Sequence, residues 1–85
     1  MKELIGKNVI IRTVTYHYIG HLESIGDGWM HLSDAAWLAD SGRWSKALET
    51  GNVKEVELYG GPCHINASAV VDVSEWRHEL PKETK

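Results

Sequence analysis

The sequence predicts an all-β fold with a helical insertion: a small, strongly bent antiparallel barrel of five strands, forming one domain over residues 1–85. Three observations predict it. Short β-branched or alternating segments recur along the chain. Tight turn signals separate them, among them Gly26-Asp27-Gly28 and Gly60-Gly61-Pro62. A glycine, Gly20, sits inside the second segment, where a sharp bend or a close backbone approach is the usual reason, and small barrels need such bends.

The first strand is expected over residues 9–14. Val9-Ile10-Ile11 is apolar at successive positions, which predicts cover on both faces. The second is expected over residues 18–24, with Tyr18, Gly20 and Leu22 on one face and Ile19, His21 and Glu23 on the other. After the Gly-Asp-Gly turn, residues 29–32 return antiparallel, Trp29 and His31 facing away from Met30 and Leu32. From Ala35 the period changes. Trp37, Ser41, Trp44 and Leu48 share one helical stripe, interrupted by Gly42. This predicts a helical insertion over residues 35–61 made of two short pieces, the second capped by Asp40 or Ser41 and ended by Gly51. Trp37 and Trp44 are expected to cover an open end of the sheet. Residues 54–58 alternate charged and apolar side chains, as an exposed strand would. Residues 63–65 and 69–73 read as closing strands around the loop Asn66-Ala67-Ser68. Residues 77–85 are charged, contain Pro81 and are expected to fray.

A chain of 85 residues has a thin core, and association into oligomers is a common remedy at this size. The net charge is −3, nine basic residues against twelve acidic, which argues against loose, charge-driven binding to DNA. The single cysteine, Cys63, excludes an intrachain disulfide. Neither a secretory leader nor an apolar membrane span is visible, so the cytoplasm is the expected compartment and no membrane partner is expected.

The stretches "NVIIRTVTYHYIGHLESIGDGWMHLSDA" and "INASAVVDV" resemble the two motifs of the Sm and Sm-like family, which includes bacterial Hfq, in a bacterial or phage-like variant. Val9, Ile11, Gly20, Leu22, Asp27, Leu32 and Asp34-Ala35 match the first motif, and residues 65–73 are similar in spacing to the second. The turn is one residue shorter than the family's, so two registers are open. One aligns Trp29-Met30-His31 with the family's aromatic-Met-Asn and puts Asp34 in the core. The other aligns Leu32 with the last core leucine, avoids burying an unpaired carboxylate and loses the base-reading Asn. Asn66-Ala67 stands where the family has Arg-Gly, so the guanidinium that grips phosphate or base is missing.

The resemblance implies a homo-oligomeric ring of five to seven copies, seamed by the last two strands through Cys63, His64, Ile65, Ala69, Val70, Val71 and Val73. Unpaired strand edges favour such association on physical grounds as well. It also implies a single-stranded RNA site in the loops facing the ring hole: Trp29 would stack a base, and Asp27, Asn66 and Ser68 would flank it. The plainer reading has Asp27 and Asn66 satisfying turn backbone groups and Trp29 in the core. Two functions follow, an RNA-binding ring or a ring-shaped assembly scaffold without RNA. Cations near the hole, with Lys7 and Arg12 as candidates, would separate them. A monomeric peptide-binding barrel of the SH3 kind is the third reading. No enzyme is expected, since no base is spaced to activate Cys63 or a serine. No cofactor motif appears. The five histidines show no metal-ligand spacing: His17 and His21 lie too far apart on a strand, and His64 points away from Cys63.

Overall fold

The computed structural model describes residues 2–85. A 3-10 turn at Lys2–Leu4 precedes β1 (Asn8–Thr13), β2 (His17–Gly26) and β3 (Trp29–Asp40). Helix α1 (Trp44–Thr50), β4 (Glu55–Leu58), β5 (Cys63–Asn66), a second 3-10 turn (Ala67–Ala69) and β6 (Val70–Glu75) follow. All strand pairs are antiparallel. The order across the sheet is β4-β3-β2-β1-β6, with β5 also paired to β3. The fold is all-β with one helix. It differs from the expected closed five-stranded barrel in having six strands and an open sheet, because no pairing joins β5 to β6.

Sharp bending is built into β2 and β3. Between them sits a two-residue loop, Asp27 and Gly28, with φ of 53° and 83°, the left-handed pair that suits a right-twisted hairpin. The register of β2 against β3 slips between Ile19 and His21 and again between Leu22 and Ser24, which are bulge sites. At Gly20 a Cβ would lie 3.1 Å from the Leu32 Cβ and 3.2 Å from the Ser33 carbonyl, so the glycine is there for close approach. Asp34, with φ 49°, divides β3 into two halves. Residues 29–32 pair with β5 and residues 36–40 with β4.

The bent sheet has a core on each side, as the run Val9-Ile10-Ile11 predicts. Val9 and Ile11 pack with Leu22, Met30, Leu32, Ala35 and Ile65 inside the bend. Ile10 packs outside it with Ile19, Ala36, Leu38, Val56, Ala47 of α1 and Trp76. Each fully buried side chain of this size contributes about 1.5–3 kcal/mol. Leu32 is buried and Asp34 exposed, so the carboxylate stays out of the core.

Two expectations for the periphery are overturned. The insertion over 35–61 is not helical from Ala35: strand β3 runs on to Asp40, and the only helix in that stretch is Trp44–Thr50. Pairing of Ala36, Trp37 and Leu38 with both β2 and β4 outweighs the helical spacing of Trp37 and Ser41. The helix starts at Arg43 without a side-chain cap and ends at Gly51, φ 78°, as expected for a left-handed C-terminal glycine. Residues 77–85 do not fray. Trp76 is buried and donates its indole N–H to the Glu79 carbonyl, His78 bonds the Leu48 carbonyl, and Leu80 packs on the outer core. Lys85 exchanges two main-chain hydrogen bonds with Val56, at 2.9 and 3.0 Å. Among the described residues no helix is long and apolar enough to cross a membrane.

Candidate interaction site

The hairpin loop and the β5–β6 turn meet at one end of the sheet. Trp29 and Asn66 are direct cross-strand partners, and the Ala67 amide donates to the Gly28 carbonyl at 2.8 Å. The two loops that hold Asp27, Trp29, Asn66 and Ser68 therefore lie side by side. Their side chains have different duties. Asn66 accepts from the Ser68 amide at 3.0 Å and the Ser68 hydroxyl at 2.8 Å, capping the 3-10 turn. Asp27 supplies a left-handed turn position. Trp29 is 43% exposed, so it is not core.

Alternation carries the exposed row past Trp29. His31 and His64 are also cross-strand partners, on the face away from Met30, Leu32 and Ile65. Their Nδ1 atoms are 3.2 Å apart and their rings meet edge to face. No sequence spacing signals this pair. It depends on the β3–β5 register, which a separation of 33 positions in the sequence leaves open. Among the described residues no group of three or more His, Cys, Asp or Glu side chains is placed to hold a metal ion.

The seam residues divide by face. Ile65 is buried, and Cys63, Val70 and Val73 pack partly against the inner core, while Val71 is 60% exposed. Ala69 closes the 3-10 turn. What β5 and β6 offer a neighbour is mainly backbone. The Trp76 amide donates to the Asn8 carbonyl, so alternation turns the Ser74 and Asp72 backbone groups toward β1 and those of Val73 and Glu75 outward.

The loops and strands that carry this site contribute no cation of their own. Residues 13–42 and 55–76, which hold both loops and strands β2, β3, β4, β5 and β6, contain no Lys or Arg and eight Asp or Glu. Arg12 is not available to a phosphate. Its guanidinium grips Asp72 (Nε to Oδ1 2.9 Å) and lies 5.1 Å from the centre of the Trp44 ring. The pair raises the Arg12 pKa and holds the Asp72 carboxyl below the usual carboxylate range. Trp44 is partly buried on the outer core and contacts His17, whereas Trp37 meets Tyr16 edge to face. Lys7 is exposed before β1, and its carbonyl accepts from the Leu22 amide.

Cys63 is partly buried, and burial pushes its thiol up, partly offset by a hydrogen bond from Tyr59. Burial, then the neighbouring Cys63 and Tyr18, push the Tyr59 hydroxyl up in turn. Both groups are held protonated near neutrality, the opposite of an activated nucleophile. Compared with protein-family models and with curated proteins, the chain matches none.

Proposed function

We propose that this chain is a non-enzymatic assembly module of the Sm-like barrel type, joining copies of itself through the free edges of β5 and β6 into a ring that serves as a protein-interaction scaffold. The observation that carries the reading is the pair of unpaired strand edges flanking the 3-10 turn. β5 pairs only with β3, and β6 only with β1. Exposed edges template strand addition. A different edge at each end of the contact gives a head-to-tail joint, which closes into a ring when each step turns by a fixed fraction. The resemblance of the two motifs to Sm-like proteins agrees with this geometry, and the strong bend, bulges and 3-10 turn suit a barrel of that type.

The lack of cations in both loops favours the scaffold over RNA. Single-stranded RNA grooves combine stacking aromatics with a positive track along the backbone. Here the aromatic, Trp29, is exposed, but both loops and the strands around them lack Lys and Arg. The RNA-binding ring stays as the second reading on the strength of Trp29 alone, since a stacked base is worth about 1–3 kcal/mol.

Native mass spectrometry tests the assembly, with a single closed oligomer expected and a monomer at all concentrations counting against it. Fluorescence anisotropy with uridine- and adenine-rich oligonucleotides at low salt separates the two readings. No saturable binding is expected; saturation abolished by Trp29→Ala would shift the reading to RNA.

A further inference from the structure

We propose that His31 and His64 form a surface chelate for a borderline transition-metal ion of the Zn²⁺, Ni²⁺ or Cu²⁺ class. The two side chains stand opposite each other on β3 and β5, with Nδ1 atoms 3.2 Å apart. Nitrogens bound at ~2.0–2.1 Å to one ion lie about 3.3 Å apart at a tetrahedral angle and about 2.9 Å apart at a square-planar one. The observed separation falls between those values, so the pair can reach one ion by turning its rings, without moving the strands. Imidazole nitrogen is a ligand these ions favour, while Mg²⁺ and Ca²⁺ prefer oxygen.

The strand register aligns the pair. By the alternation that puts Ala67 in hydrogen-bond register with Gly28, His31 and His64 occupy a non-hydrogen-bonded position, where facing side chains approach most closely. Both rings lie on the solvent face, His64 exposed and His31 half-buried, so an ion can reach them from water. Without metal the two nitrogens share one hydrogen bond, which requires one ring to carry its proton on Nδ1. Chelation through both Nδ1 atoms moves that proton to Nε2 of the same ring. Starting from two neutral rings, each imidazole keeps one N–H, so the proton balance closes. No third side chain of the types that hold metals joins the pair among the described residues, so water fills the remaining positions. The inference does not depend on ring assembly, because both ligands come from one chain.

Isothermal titration of the whole chain with Zn²⁺, Ni²⁺ and Cu²⁺ chlorides, and with Mg²⁺ for contrast, tests it. Saturable binding of the first three at one ion per chain is expected, with none for Mg²⁺. His31→Gln and His64→Gln should each weaken binding by about tenfold or more, the scale on which single groups act at protein metal sites. His21→Gln should bind as the parent does. The Cu²⁺ spectrum should show coupling to two nitrogens in the parent and the loss of that signature in the double variant, with circular dichroism reporting that the fold is kept. Absence of saturable heat in the parent, or equal affinity in the double variant, would overturn the proposal.

Discussion

The two outer strands of the sheet end in opposite ways. On β4, the outward backbone groups of Val56 are taken up by Lys85, with Thr84 near Leu58 and the Lys85 ammonium on the Val53 carbonyl. On β6, no strand among the described residues covers the outward groups of Val73 and Glu75, and Val71 stands exposed beside them. One edge is sealed by the chain's own tail and the other is open among the described residues. Edge strands are a hazard that folded proteins cover, charge or use, and this sheet covers the β4 edge with its own tail. Val70-Val71 on β6 carries no charge, whereas Glu55 and Glu57 flank Val56 on β4.

The largest effect on this contrast should come from Trp76, the anchor of the tail on the outer core. Trp76→Ala is expected to cost about 3–5 kcal/mol in urea unfolding. It should also uncover the β4 edge, so that the folded fraction associates in a new and less uniform way. Ending the chain after Pro81 is a milder version. It removes the two Lys85–Val56 bonds and the Lys85 and Thr84 side-chain contacts, at about 0.5–1.5 kcal/mol for each hydrogen bond. Open aggregation in place of a discrete oligomer is the outcome expected by light scattering.

Much of the inner fold is legible in the residues. The apolar triplet at Val9 names the strand that both cores share, Gly20 marks the close approach to Leu32, and Asp27-Gly28 sets the hairpin. The periphery is less legible for a physical reason. Trp37 and Trp44 lie seven residues apart in the sequence, one helical repeat, yet one is in a strand and the other opens the helix. Periodicity could not register that β4 would pair with residues 36–40. The tail is charged on its surface, and its attachment rests on Trp76 and Leu80 and on hydrogen bonds of His78, Thr84 and Lys85 that composition does not display. Of the candidate site, the two loops are readable as turns. The exposure of Trp29 and the His31–His64 contact depend on strand register and are not.

Smaller effects sharpen the open side. Val71→Lys should change unfolding free energy by no more than about 0.5 kcal/mol, because the side chain is exposed. The same substitution should weaken self-association by tenfold or more in sedimentation, since a charge on an edge strand opposes pairing. The smallest effect is expected at the Arg12–Asp72 pair, which ties β6 to β1. The folded Asp72 pKa lies below its usual value, so the pair's stabilisation is present above the unfolded carboxylate pKa, about 3.9. It is lost as pH falls below that through the folded value. Thermal unfolding of Asp72→Asn should therefore show a shallower acid-side decline than the parent and little difference in slope above pH 5.

Hydrogen–deuterium exchange at low and high protein concentration tests the edge account most directly. The Val56 amide should be protected at both concentrations, because the chain's own tail holds it. The Val73 and Glu75 amides should exchange freely when dilute and become protected as copies assemble. Exchange at Val73 and Glu75 that is equally fast at every concentration, in a chain that nevertheless forms oligomers, would contradict strand addition at this edge.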